Sequence, residues 1–278
     1  VVSYFLFVVF SLLFYDLNFY FALLSFLFSL VLDFCLSLFL LFKFYEIRFS
    51  FISIRSLSNY SKKVWITSII VLSNKRIDQI IIGLLIEPYF LGLYSIAVAI
   101  SEIVNRIPDA FAPVFFNINS KIKDKIHQKN TLCKISRINF FICLVLIVFL
   151  FFFSDFIINF FYGNEFAYSY NILLFYLPGV LFWVTTRPIY NYFSSIGKPE
   201  VNSKIEIIGL IFGVLACVIL TKKFGVLGAA FASSFSFFIN FIISHVYLRR
   251  EKLGIRFLET LLIKITDFNE IINKMKFR

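Results

Sequence analysis

Apolar residues in this chain come in long, nearly unbroken runs separated by short polar segments, most of them basic. A helix needs roughly 20 apolar residues to cross hydrocarbon about 30 Å thick. By that measure the pattern predicts eight spans: Val1–Phe14, Phe19–Phe42, Val64–Ile86, Tyr89–Phe116, Ile138–Tyr162, Tyr168–Ile196, Val201–Leu220 and Val226–Leu248. The first is short. Its leading residue is Val, Met275 is the only Met and no charged segment precedes it, so the chain reads as a fragment or a truncated product. Barrel strands alternate apolar with polar over about 10 residues, which Phe140–Phe153 does not do. The pattern therefore predicts an all-α polytopic membrane helix bundle, since a backbone crossing lipid must satisfy its own hydrogen bonds.

Composition agrees with the pattern: 60% of the 278 residues are hydrophobic and only 15% charged, with a mean hydropathy of +0.89. The 41 Phe sit in runs too long for a soluble core. Charge adds orientation. Of the 27 Lys and Arg, those at Lys43–Lys63, Lys121–Arg137, Lys198, Lys204 and the tail from Arg249 all fall on one side of the predicted spans, while the other side carries only Lys222 and Lys223. The positive-inside rule makes the basic side, with both chain ends, cytoplasmic. The net charge of +11 is thus a topology signal, and a nucleic-acid partner is excluded for want of a folded basic domain. The tail is read as a solvated basic segment that also suits anionic headgroups.

Cysteine and histidine carry little. Cys35, Cys143 and Cys217 lie in apolar spans and Cys133 in a linker, with no paired spacing for zinc, and His127 and His245 are far apart, so neither a metal nor another cofactor is expected. Asp155 falls near an outer interface and needs no special role. The aromatic residues are read as lipid-facing bulk.

The informative residues are charges inside the spans. One such group near a bilayer centre costs at least about 2.5 kcal/mol, so it marks a bundle interior, a pathway or a binding site. Lys75, Asp78 and Gln79 follow i, i+3, i+4 spacing and share a helix face with Gly83, flanked by Arg76. Glu102, Arg106 and Asp109 recur at i, i+4, i+7 in the next span, with Asn105 beside them and Pro108 and Pro113 close enough to bend the helix. The short Glu87-Pro88 turn makes the two spans antiparallel neighbours. The charges either form a neutralising network that fixes packing or line a cavity for an anionic group and a coupling ion; the second is favoured, because Ser, Thr and Gly join helices at lower cost. Arg187 precedes Pro188, with Pro178 and Gly179 upstream, so this span is expected to be interrupted or kinked, as a hinge or as a static bend. Asp33 stands isolated in its span and is open to protonation, to a partner outside the chain, or to proton coupling.

The run Asn74 to Phe116, NKRIDQIIIGLLIEPYFLGLYSIAVAISEIVNRIPDAFAPVFF, resembles the first two helices of the C-terminal lobe of oligosaccharide flippases in the multidrug/oligosaccharidyl-lipid/polysaccharide exporter superfamily. The elements that carry the likeness are Arg76-x-Asp78-Gln79, Gly92-Leu93-Tyr94-Ser95-x-Ala97, and Pro108 followed by Pro113. Further on come Phe161-Tyr162-Gly163-x-Glu165-Phe166, Tyr192 to Pro199 with Gly197-Lys198-Pro199, and Phe224-Gly225-x-x-Gly228-Ala229-Ala230, in the family's order. The resemblance covers Tyr60 to Leu248, the size of one lobe.

It implies a six-helix C-terminal lobe at 64–248, preceded by two spans of a truncated N-terminal lobe at 1–43 and a cytoplasmic linker at 44–63, and followed by a basic cytoplasmic tail at 249–278. It also implies a non-enzymatic transporter that flips a polyprenyl-diphosphate-linked oligosaccharide across the plasma membrane by alternating access, for O-antigen, lipopolysaccharide or other surface polysaccharide synthesis. A polysaccharide polymerase and assembly proteins would be its partners beside membrane lipids. Lys75, Arg76, Arg106 and Arg187 would bind the diphosphate, guanidinium forks suiting phosphate oxygens. Asp78, Gln79, Glu102 and Asp109 would form the ion-coupling or charge network. Three alternatives differ in sequence. A drug or cation exporter would carry more acidic than basic mid-span charge, a membrane polymerase or glycosyltransferase would show a large outer loop, and a scaffold would need neither.

Overall fold

The structure, a computed structural model, describes residues 19–44, 51–122, 124–251, 255 and 257–262. The span expected at Val1–Phe14 lies outside them. The chain divides into two compact units, Val1–Ser58 and Asn59–Arg278.

In the first unit, helix α1 (Phe19–Phe44) is apolar almost throughout, and Asp33 sits on it in an exposed position. Two of its hydroxyls are satisfied within the helix: Ser29 donates to the Phe26 carbonyl at 2.8 Å and Ser37 to that of Asp33 at 2.7 Å. Such back-bonding lets a polar side chain sit in an apolar helix with no partner elsewhere.

Helix α2 (Phe51–Leu85) belongs to the second unit from Asn59 onward. The rest of that unit is α3 (Pro88–Lys121), α4 (Lys125–Tyr162), a 3₁₀ turn (Asn164–Phe166), α5 (Ser169–Ser195) and α6 (Pro199–Arg250). Among the described residues no strand occurs. Pro occupies the first turn of α3 and α6, where its missing N–H costs nothing. The Asp124 carboxylate caps α4 by accepting from the backbone N–H of Ile126 and His127. Helices α2 and α4 both begin well before the spans the hydropathy pattern predicts, so segments expected as polar linkers are largely helical extensions.

Among the described residues four helices are long and apolar enough to cross a membrane: α3, α4, α5 and α6. Helix α2 holds the span expected at Val64–Ile86, but Lys62, Lys63, Lys75, Arg76 and Asp78 make it too charged to stand with them. The 52-residue α6 is two passes. At Gly225 the backbone leaves the helical region (φ 62°, ψ −144°) and the chain turns back on itself. The returning helix packs antiparallel and close, Gly228 facing the Leu220 carbonyl, Gly213 facing Ser236 and Gly209 facing the Asn240 amide. A Cβ at Gly213 would stand 2.8 Å from that of Ser236. Lipid is as apolar as a leucine side chain, so this close approach at small residues, rather than expulsion from water, holds such helices together.

The passes alternate in direction. One end of the bundle gathers Lys63 with Glu200 (3.7 Å), Lys198 with Glu251 (2.7 Å) and Asn119 with Ser195 (2.6 Å). The short helix Phe257–Thr260 docks at the same end, where Arg137 donates to the Glu259 carbonyl and His245 meets the Thr260 hydroxyl. At the other end Tyr89 donates to the Glu165 carbonyl. Two apolar clusters fill the interior, one around Tyr94, Leu173, Trp183 and Phe237, the other around Phe115, Leu132, Phe193 and Ile205. Phe152, Phe156, Phe160 and Phe161 of α4 face outward.

Candidate functional site

Three helices of the second unit carry the mid-span charges, and the structure sorts them into separate places. A cavity of about 360 Å³ opens between α2, α5 and the start of α6. Lys75 and Arg187 line it together with Thr67, Ser68, Tyr190 and Asn202, and among the described residues no carboxylate does. Both cations also lie over the indole of Trp183, Lys75 Nζ at 5.0 Å and Arg187 Cζ at 5.6 Å from a ring centroid, within the range of cation–π attraction. Arg187 reaches Asp109 of α3 in a close ion pair. Lys75, half-buried, has no carboxylate in ion-pair contact among the described residues.

The other expected site residues lie elsewhere. Arg76 pairs with Glu102 at 2.9 Å, both side chains substantially exposed. Arg106 is exposed and pairs with no described residue. Asp78 points the opposite way from Arg76, into the interior, where it is 4% exposed and accepts from the Tyr94 and Ser233 hydroxyls and the Gln79 backbone N–H. The charges that look like one stripe in sequence thus form two ion pairs, an isolated cation, a buried carboxyl and the pair of cations at the cavity.

Helix α5 positions Arg187 without a break. The expected interruption does not occur, because neighbouring helices serve the carbonyls that proline leaves unbonded. Pro188 deprives Val184 O of its usual donor, and the Asn139 amide of α4 supplies one at 2.7 Å. Near Pro178, the Ser234 hydroxyl of α6 donates to the Phe175 and Tyr176 carbonyls. In α3, Pro108 leaves Val104 O to the Cys143 thiol.

The sequence reading missed a second polar cluster. Glu206 of α6 is fully buried and accepts from Asn74 (2.6 Å) and Asn240 (3.1 Å) through one oxygen. Ser236 bridges Asn74 and the Gly209 carbonyl. A signal was present: Glu206 is the one carboxylate inside the apolar window Val201–Leu220. It was overlooked because its partners lie on two other passes.

With that geometry in hand, comparisons place the chain among known proteins. A family profile described as polysaccharide biosynthesis protein matches residues 1–171, and one described as lipid II flippase MurJ matches residues 110–271. The probable low-salt glycan biosynthesis flippase Agl15 of Haloferax volcanii is 27% identical over 203 residues, 72% of this chain and 43% of that protein. The capsular polysaccharide biosynthesis protein CapF of Staphylococcus aureus is 25% identical over 180 residues, 64% of this chain and 46% of that one. This chain spans less than half the length of these relatives. No solved structure matches it. An all-helical, multi-pass membrane chain matched over more than half its length by both profiles belongs to the polysaccharide flippase family of polysaccharide biosynthesis proteins.

Proposed function

We propose that this chain forms one lobe of a transporter that moves a polyprenyl-diphosphate-linked oligosaccharide across the plasma membrane by alternating access, for surface polysaccharide or O-antigen synthesis. The observation that carries the reading is the cavity lined by two cations and, among the described residues, no acid, which suits an anionic cargo and disfavours a cationic drug. Phosphate oxygens would replace Asp109 on Arg187 and give Lys75 the counter-ion it lacks. Arg76 and Arg106 are the outlying cations along the cargo's route; Asp78, Gln79, Glu102 and Asp109 supply the charge or ion-coupling network. Gln79 does so by orienting Asp78 through its backbone N–H. The reading involves translocation and no bond-making step. It places the basic end of the bundle and the C-terminus in the cytoplasm, the six passes of 64–248 as the C-terminal lobe, residues 1–43 as the end of a preceding lobe, 44–63 as linker and 249–278 as tail. Polymerase and assembly proteins would act on the cargo before and after it.

The test is rescue of surface polysaccharide in a flippase-deficient cell. This chain joined to a complete N-terminal lobe should restore the polymer, and the same protein with Lys75 and Arg187 changed to Gln should insert normally and restore at least tenfold less, the cost of losing one or two charged contacts. A joined protein that inserts yet rescues with none of the lipid-linked donors tried would sink the proposal.

A further inference from the structure

Two like charges at one cavity repel each other, and no described carboxylate lines the cavity that Lys75 and Arg187 share, Asp109 meeting Arg187 from the neighbouring helix. What the two cations have in common is Trp183. Its side chain is 2% exposed, packed against Phe237 at 5.2 Å and Tyr190 at 6.2 Å between ring centroids. It is absent from the lining of the cavity and backs it through Tyr190 and the two cations. Its indole N–H has no hydrogen-bond partner among the described residues. A buried tryptophan usually finds one, so packing has set this ring for its π surface rather than for its donor.

We infer that Trp183 is the positioning residue of a two-cation clamp for a diphosphate: its ring holds both Lys75 and Arg187 at one cavity, a pair of cations to meet a pair of linked phosphates. This rests on the anionic-cargo reading above and assigns it a specificity. An indole is the strongest aromatic partner for a cation, and it takes no hydrogen-bond donor from either side chain, so those of Lys75 and those of Arg187 not given to Asp109 remain for phosphate oxygens. A carboxylate in the same place would neutralise them and compete with the cargo. Trp183 therefore touches no substrate; it acts by fixing where the two cations stand.

The chain contains two Trp, and the other, Trp65, is 67% exposed. In a Trp65→Phe chain every incorporated tryptophan analogue reports on position 183 alone. This chain, grown with tryptophan or with mono-, di- and trifluorinated tryptophan and placed in nanodiscs, would be titrated with geranylgeranyl diphosphate, geranylgeranyl monophosphate and geranylgeraniol. Fluorine drains the ring's negative face while barely altering its shape, so folding is held constant. Affinity for the diphosphate should fall stepwise, by roughly tenfold across the series, while the alcohol should bind weakly and equally to every form. Trp183→Phe should retain part of the preference for diphosphate over monophosphate and Trp183→Leu should lose it. A flat fluorine series overturns the clamp and leaves diphosphate recognition standing. Equal affinity of the unfluorinated protein for diphosphate and alcohol overturns the anionic-cargo reading and the clamp with it.

Discussion

Helix α2 contributes to two polar regions that differ in kind. Lys75 sits at an open cavity with an aromatic ring behind it and no acid in ion-pair contact. Asn74 and Asp78 lie in a closed interior where nearly every donor meets an acceptor, through Glu206, Asn240, Tyr94, Ser233 and Ser236. Glu206 Oε1 and Asn240 Oδ1 accept from no described group, while the donors that are paired rigidify the network and specify its packing. An unsatisfied cation at a water-accessible cavity has free energy left for a ligand. On the proposed reading, function and architecture are separated by a single residue step along one helix.

The comparison is broken most severely through the architecture. Gly228 faces the Leu220 backbone carbonyl, which cannot swing aside as a side chain would. Gly228→Val should destabilise the hairpin by about 3 kcal/mol or more, read as loss of folded, monodisperse protein in detergent. Next comes Tyr94→Phe, which deletes a hydroxyl that donates to Asp78 and leaves a buried carboxyl short of a partner. It should cost about 1–3 kcal/mol, visible as a lowered thermal midpoint. Replacing Asn139 with Leu should cost a similar or slightly smaller amount, by returning Val184 O to the unbonded state Pro188 imposes; faster backbone amide exchange near Val184 would report it. At the cavity the order reverses. Lys75→Gln should leave the thermal midpoint within experimental error while abolishing most polysaccharide rescue, and a large loss of stability would mean that Lys75 belongs to the architecture after all. The smallest effect is expected for Arg76→Gln, since an exposed ion pair contributes about 0–1 kcal/mol.

The passes from Tyr89 to Leu248 were legible because each is an apolar run bounded by turn chemistry that the structure uses: Glu87-Pro88, Gly163, Gly197 and Gly225. The charged residues were legible as a set, for a charge in an apolar window needs a reason. Their partners were not. Spacing put Lys75, Asp78 and Gln79 on one face, yet neighbouring helices approach α2 from different sides, so Asp78 meets Tyr94 and Ser233 while Lys75 meets Trp183. The proline-rich span read as interrupted or kinked because a chain considered alone cannot display the amide and hydroxyls that other helices bring to its freed carbonyls.

By itself the sequence determined that this chain lives in lipid, how many times its second unit turns, and which residues were too polar to be there without purpose. Those are properties of single segments, governed by local hydropathy, backbone geometry and the cost of charge in hydrocarbon. The tertiary structure decided which charge is neutralised and which is left open to a ligand, because that depends on side chains more than a hundred residues apart, as with Lys75 on α2 and Trp183 and Arg187 on α5, and no one-dimensional spacing encodes which faces of two helices will meet.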